Sequence, residues 1–147
     1  MILYSDRDDH YSQRVRIVLA EKDISAEINE AKPEETPEDI LSISPYMKLP
    51  ILVDRDLAIH DPTVMMEYLD ERFPHPPLLP VYPVARANCR TLMLRIDREW
   101  CPMVDDLIIA DKTEKELMKL REELLYEISS IAPTFKEYKF FMNDEFT

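Results

Sequence analysis

The residues of this chain with chemistry to offer are few. His10, His60 and His75 share no metal-ligand spacing with Cys89 or Cys101, so no metal and no cofactor is expected, and the histidines read as surface or core residues. The two cysteines read as buried or free thiols rather than a disulfide. Asp6, Asp8 and Asp9 are close in sequence, but they precede a helical pattern whose N-terminus favours acidic residues, so they read as caps and not as a carboxylate dyad. Tyr4 carries a hydroxyl but sits in an apolar run and reads as core. Arg86, Arg90, Arg95 and Arg98 form a basic cluster that suits either a solvated helix face or contact with an acidic partner.

The densest signal is a run of five prolines, Pro74, Pro76, Pro77, Pro80 and Pro83, out of 12 in the chain. Proline has no amide N–H and a fixed φ, so neither a helix nor a central strand passes through. Phe73, His75, Leu78, Leu79 and Tyr82 lie among them, making the segment apolar and stiff where a flexible linker would be polar and Gly/Ser-rich. Two roles fit: a rigid strap between domains, or a preformed recognition ridge that loses little entropy on binding. The ridge reading assigns Pro74, His75, Pro76 and Pro77 to the contact, with Tyr82 as aromatic anchor and Arg86 as charged contact.

The elements that must position these residues follow from periodicity. Ile2–Tyr4 reads as a strand, and a helix follows from about Tyr11 to Lys22 with Tyr11, Val15, Val18 and Leu19 facing inward and Arg14 and Arg16 pointing elsewhere. Ala26–Glu30 reads as a second strand, and Asp39–Ile43 as a short helix. Ile51–Val53 and Leu57–His60, joined by Asp54-Arg55-Asp56, read as a hairpin. Pro62 suits the first turn of a helix with Val64, Met65, Tyr68 and Leu69 on its apolar face. Beyond Pro83 the pattern is helical only. Val84, Ala87, Thr91, Leu94 and Arg98 mark one side of a long helix that Pro102 should kink, and Thr113-Glu-Lys-Glu116 is a capping box. Leu117, Leu120, Leu124, Ile128 and Ile131 then repeat at helical spacing. Phe135, Tyr138, Phe140, Phe141 and Phe146 crowd the end without a period, and rings in need of a surface suggest a truncated helical domain.

At 147 residues, 46% hydrophobic and 33% charged, the chain reads as soluble and globular rather than disordered. Charges interrupt every apolar stretch, and the N-terminus lacks the layout of a secretory signal, so a cytoplasmic protein without membrane contact is expected. The net charge is −12, with 8 basic against 17 acidic residues up to Phe73, which disfavours direct nucleic-acid binding. Glycine is absent. That removes Gly-rich phosphate loops and forces every turn with positive φ onto another residue.

The order strand, helix, strand, helix, strand, strand, helix, with Pro50 opening the third strand and helices after it, resembles the glutathione transferase fold. The implied class is α/β plus all-α: a thioredoxin-like domain over 1–73, a proline connector over 74–82 and a partial helical domain over 83–147. In detail, Tyr11-Ser-Gln-Arg-Val-Arg-Ile-Val-Leu-Ala-Glu-Lys22, Leu52-Val-Asp-Arg-Asp56, the stretch from Met66 to Arg86 containing Pro74-His-Pro-Pro77, and Asn143-Asp-Glu-Phe146 resemble the bacterial stringent starvation protein A family. That resemblance implies a transcription regulator of stress and starvation that binds RNA polymerase holoenzyme, with the sigma factor one candidate contact, and that forms a homodimer or pairs with a family member. It also implies a cis peptide before Pro50. The family fold's Glu-Ser pair for glutathione falls at Asp61 and Pro62, and its catalytic Ser or Cys at about Asp9. A proline supplies neither hydroxyl nor N–H, and a carboxylate repels a thiolate, so no catalytic residue is assigned. A glutathione-dependent transferase or thiol reductase remains the alternative.

Overall fold

The computed structural model describes residues 1–108, 112–137 and 140. The chain divides into two compact units, Met1–Pro76 and Pro77–Thr147. The first carries a four-stranded sheet of β1 (Ile2–Ser5), β2 (Glu27–Glu30), β3 (Ile51–Asp54) and β4 (Leu57–Ile59) in the order β2-β1-β3-β4. β1 and β2 are parallel, joined through α1 (His10–Glu21); β3 is antiparallel to both β1 and β4. A short 3₁₀ turn (Pro33–Glu35), α2 (Glu38–Leu41) and α3 (Pro62–Arg72) complete the unit, and α1 packs against α3. This is the expected thioredoxin-like order, and the peptide before Pro50 is cis.

Patterning explains the packing. Leu3 on β1, Val15, Val18 and Leu19 on α1, Ile51 and Leu52 on β3, and Met65 and Leu69 on α3 are all buried. Burial alternates on β1, where Leu3 and Ser5 are buried, and recurs at three-to-four spacing on the helices, whereas β3 buries the adjacent Ile51 and Leu52. Three readings of this unit change. Tyr11 is only half-buried, while Ser12 is buried. Val64 is exposed, because Met65 and Leu69 alone define the inner face of α3. Arg16 does not face away: it reaches back to Ser5 Oγ and to the carbonyls of Asp6 and Arg7. With no glycine available, the left-handed backbone positions fall on Asp23, Met47 and Arg55. Only Asp is among the residue types that enter this region readily.

The second unit is helical: α4 (Pro83–Arg95), a π-helical turn (Ile96–Trp100), α5 (Cys101–Ile108), α6 (Glu114–Ser130) and α7 (Thr134–Glu137). The Thr113–Glu116 capping box forms as read. Pro102 does not end the helix. The Cys101 N–H bonds to the Ile96 carbonyl, the wide i→i−5 spacing of a π turn, just ahead of the proline that cannot donate and whose ring crowds the carbonyl four residues back. The inner face of α4 is Ala85, Cys89, Leu92, Met93 and Ile96, so the Val84–Ala87–Thr91–Leu94–Arg98 side, which the sequence marked without assigning it inward or outward, is the outer one. Among the described residues of this unit only Pro80, Cys89 and Cys101 are buried; Ile128 is exposed, and α6 presents a half-buried stripe of Leu117, Leu120, Leu124 and Ile131. Both cysteines are buried thiols outside any disulfide. Phe135 is exposed, while Tyr138, Phe141, Phe146 and the Asn143–Phe146 stretch lie outside the described residues. No helix among the described residues is long and apolar enough to cross a membrane.

Candidate functional site

Sheet register sorts the candidate residues onto two edges of the first unit. Tyr4 pairs with Ile51 and Leu52 with Ile59, so the end of β1, the start of β3 and the end of β4 share one edge. Asp9, Pro50 and Asp61 therefore come off the same edge, as the glutathione-type arrangement requires. Each is already committed. The Asp9 carboxylate caps α1, accepting from Tyr11 N–H at 3.2 Å and Ser12 N–H at 2.7 Å. These are the orphan donors a bound thiolate would use. Pro50 is fully buried. Asp61 Oδ1 accepts from Val64 N–H at 3.0 Å, and Pro62 occupies the first helical position.

The loop between β1 and α1 is cross-linked further. Lys32 Nζ donates to Asp8 Oδ2 at 2.8 Å and Asp6 Oδ1 at 3.1 Å, and Ser12 Oγ accepts from Asp6 N–H at 3.1 Å. The hydrogen bond from Lys32 holds the Asp8 carboxyl below its usual range, and in return the bonds to Asp8 and Asp6 push the Lys32 ammonium upward. At this edge the polar groups answer one another. The ring of His60 meets that of Tyr46 edge-on at 6.3 Å, and His10 lies against Tyr11 at 4.0 Å. Among the described residues no group of three His, Cys, Asp or Glu side chains is placed to hold a metal ion.

The opposite edge is where β1 begins and β3 ends. α3, at about 1.5 Å per residue, carries the chain roughly 16 Å from Asp61 to Arg72 and delivers Phe73 there. Met1, Lys22, Asp23, Ile24, Ser25, Asp54, Arg55, Arg72 and Phe73 surround a hollow of about 470 Å³. One wall is a polar node. Tyr68 Oη donates to Asp54 Oδ2 at 2.6 Å, and Arg72 reaches Asp54 Oδ2 at 3.2 Å and Tyr68 Oη at 3.1 Å. The Tyr68 hydrogen bond, more than the nearby Arg72 charge, holds the buried Asp54 carboxyl below its ordinary range; the same bond pushes the Tyr68 hydroxyl upward. Arg72 also lies over the rings of Tyr68 and Phe73, at 5.9 and 5.6 Å.

Behind this node Lys22, at the C-terminus of α1, is fully buried. Its ammonium pairs with Asp70 and donates to the Phe73 carbonyl at 2.7 Å and the Pro76 carbonyl at 2.5 Å. Pro74, His75, Pro76 and Pro77 are exposed, with a cis bond between His75 and Pro76. In the second unit Tyr82 is 77% exposed. Arg86 is half-buried and gives its Nε–H to the carbonyl of the buried Pro80 at 2.8 Å. Arg95 is shared between Glu99 and Glu127, so it does not extend the basic cluster outward. Lys22, Asp70 and the Asp54–Tyr68–Arg72 node escaped the sequence reading. A lysine closing a helix resembles any last-turn cation, and Tyr68 sits in an apolar stripe; only a long-range partner distinguishes them.

The family described as the N-terminal domain of glutathione S-transferase matches residues 3–77. The chain is 50% identical over 147 residues to a stringent starvation protein A homolog of Coxiella burnetii, covering all of this chain and 69% of that protein. It is 49% identical over 148 residues to the homolog of Pasteurella multocida, covering 100% and 68%. Among solved structures, a glutathione S-transferase from Rhodospirillum rubrum superimposes with a TM-score of 0.85 at 26% identity, over 99% of this chain and 71% of that one. On the identity it shares with these homologs over its whole length, and with the fold they imply, the chain belongs to the stringent starvation protein A family.

Proposed function

We propose that this protein is a non-catalytic, cytoplasmic member of its family that regulates transcription under stress by binding RNA polymerase holoenzyme through the Pro74–Pro77 ridge. The observation that carries the reading is the ridge itself: four consecutive exposed residues, three of them proline, on a backbone tied from inside by Lys22. A surface ordered before binding forfeits little entropy on association. The acidic first unit would be steered towards a basic partner surface. Tyr82 and Arg86 flank the ridge in sequence; Arg86 serves by holding the Pro80 carbonyl, which leaves Tyr82 as the aromatic contact. The outer face of α4, with Val84 76% and Leu94 48% exposed, is where a second copy or a related family member would dock.

Against glutathione chemistry stands the edge bearing Asp9, Asp61 and Pro62, where a carboxylate takes the position of the nucleophile and a proline takes that of the serine in the γ-glutamyl contact. Two measurements test the proposal together. Substituting alanine at Pro74, His75 and Pro76 is expected to keep the fold and melting temperature while abolishing capture of polymerase holoenzyme. Glutathione resin is expected to retain none of the wild-type protein. A triple variant that binds polymerase like wild type, or that unfolds, assigns the segment to a strap and ends the docking reading. Robust conjugation of a standard electrophile, lost on Tyr4→Phe, would revive the transferase.

A further inference from the structure

We propose that Lys22 is the positioning residue of the ridge: its ammonium, held inside the first unit, sets the course of the backbone from Phe73 to Pro76 that a partner meets. The inference rests on the docking reading above. An ammonium has three N–H donors and no acceptor. Three acceptors surround Lys22 Nζ: a carboxylate oxygen of Asp70 and the carbonyls of Phe73 and Pro76. Every donor is matched, and the two carbonyls bracket the ridge, one just before Pro74 and one just before Pro77.

The need for such a clamp follows from the prolines. Proline fixes φ but leaves ψ soft, and between Pro74 and Pro77 only His75 has an amide N–H. The segment cannot build a backbone ladder of its own, so its carbonyls depend on a donor from elsewhere. The direction of a carbonyl reports ψ of its residue, so Lys22 fixes ψ at both Phe73 and Pro76. The bond is also hard to abandon. The Lys22 side chain is 0% exposed, and an ammonium released from these carbonyls would stay buried with Asp70 as its one remaining acceptor among the three. The ridge is thereby tied to α1 and α3, the helices that carry the core.

The test uses the full chain, purified RNA polymerase holoenzyme and four proteins: wild type, Lys22→Met, Asp70→Asn and the ridge triple-alanine variant. Affinity is read at a temperature where circular dichroism finds each folded, and melting temperature is read in parallel. Lys22→Met is expected to weaken binding by about tenfold or more, because the ridge must then be ordered during association. Asp70→Asn keeps a side-chain oxygen and both carbonyl bonds, so it is expected to melt earlier yet bind within about twofold of wild type. A purely structural lysine would instead make affinity follow melting temperature in both variants. That outcome, or wild-type affinity in folded Lys22→Met, overturns the proposal. If Lys22→Met does not fold, Lys22→Arg decides. Its planar fork keeps the charge but cannot aim donors at three acceptors around one point, so folded protein with weakened binding supports the clamp and wild-type affinity overturns it. Loss of binding in the triple variant but not in the Lys22 variants defeats the clamp alone. Wild-type binding by the triple variant defeats the docking reading beneath it.

Discussion

The two edges of the N-terminal sheet solve the same problem in opposite ways. At the edge of Asp9, Pro50 and Asp61, the two carboxylates answer neighbours close in sequence: Asp9 caps the helix that follows it, and Asp61 does the same three residues ahead, while Lys32 reaches 26 and 24 residues back to Asp6 and Asp8. At the edge of Asp54 and Lys22, the partners are remote: Lys22 reaches 51 and 54 residues along the chain, and Tyr68 reaches back 14. Those bonds spend polar groups on shaping a surface, and the residues they hold in place, Pro74 to Pro77, stay exposed. The comparison teaches that, on one glutathione transferase-like scaffold, the helix caps of one edge are fixed by short-range bonds while the buried lysine of the other is fixed only by bonds across the fold.

The comparison breaks first at Tyr68. Tyr68→Phe strips the buried Asp54 carboxylate of its shortest hydrogen bond and is expected to cost about 2 kcal/mol in urea denaturation at neutral pH, the range for bonds to charged groups. The cost should depend on pH at both ends. The Asp54 carboxyl is lowered from an ordinary 3.8, so its contribution is present above that value and is lost as pH falls through the lower folded one. The Tyr68 hydroxyl is raised from 10.0, so its contribution is present below that value and is lost as pH rises through the higher folded one. The gap between wild type and variant should therefore form a plateau that narrows in strong acid and strong base. A gap that widens in acid contradicts the assignment.

Asp9→Ala should be milder, about 1 kcal/mol, the usual loss for one N-cap, and it should leave polymerase affinity unchanged because it acts at the other edge. Equal effects of Asp9 and Lys22 substitutions on binding would erase the distinction between the edges. Arg55→Gly should act in the opposite direction. Arg55 is the first central residue of the β3–β4 turn, with φ of 57°, where a side chain is unfavourable, so glycine is expected to raise stability by up to about 1 kcal/mol in thermal melts. The smallest effect is reserved for Asp9→Ser. Serine caps as well as aspartate and restores a hydroxyl where a catalytic one would stand, so stability should hold. Glutathione conjugation should stay undetectable while Asp61 and Pro62 remain.

Much of the first unit was legible because its signals are local. Period-two and period-3.6 patterns, Asp9 as a cap, Pro62 at a first turn and Pro50 before β3 each act within a few residues, and the element order follows from them. The second unit was less so. Apolar residues lie on more than one side of α4, so periodicity alone did not choose between the Val84 and Cys89 faces, and the burial that chose is a property of packing. Pro102 announced a disturbance, but whether a helix kinks or widens into a π turn depends on where its carbonyls find donors.

The sequence by itself determined the strand and helix order, the cap at Asp9 and the stiffness of the proline segment, because each is set by covalent geometry or by bonds between near neighbours. Only the tertiary structure decided that Lys22 is buried beneath Phe73 and Pro76, that Arg16 and Arg86 serve backbone carbonyls, and that Tyr68 belongs to Asp54. A charged side chain long enough to reach many acceptors carries no mark of which it will find. That choice is made when chain segments far apart in sequence are brought together and the cost of burying an unanswered charge excludes the alternatives.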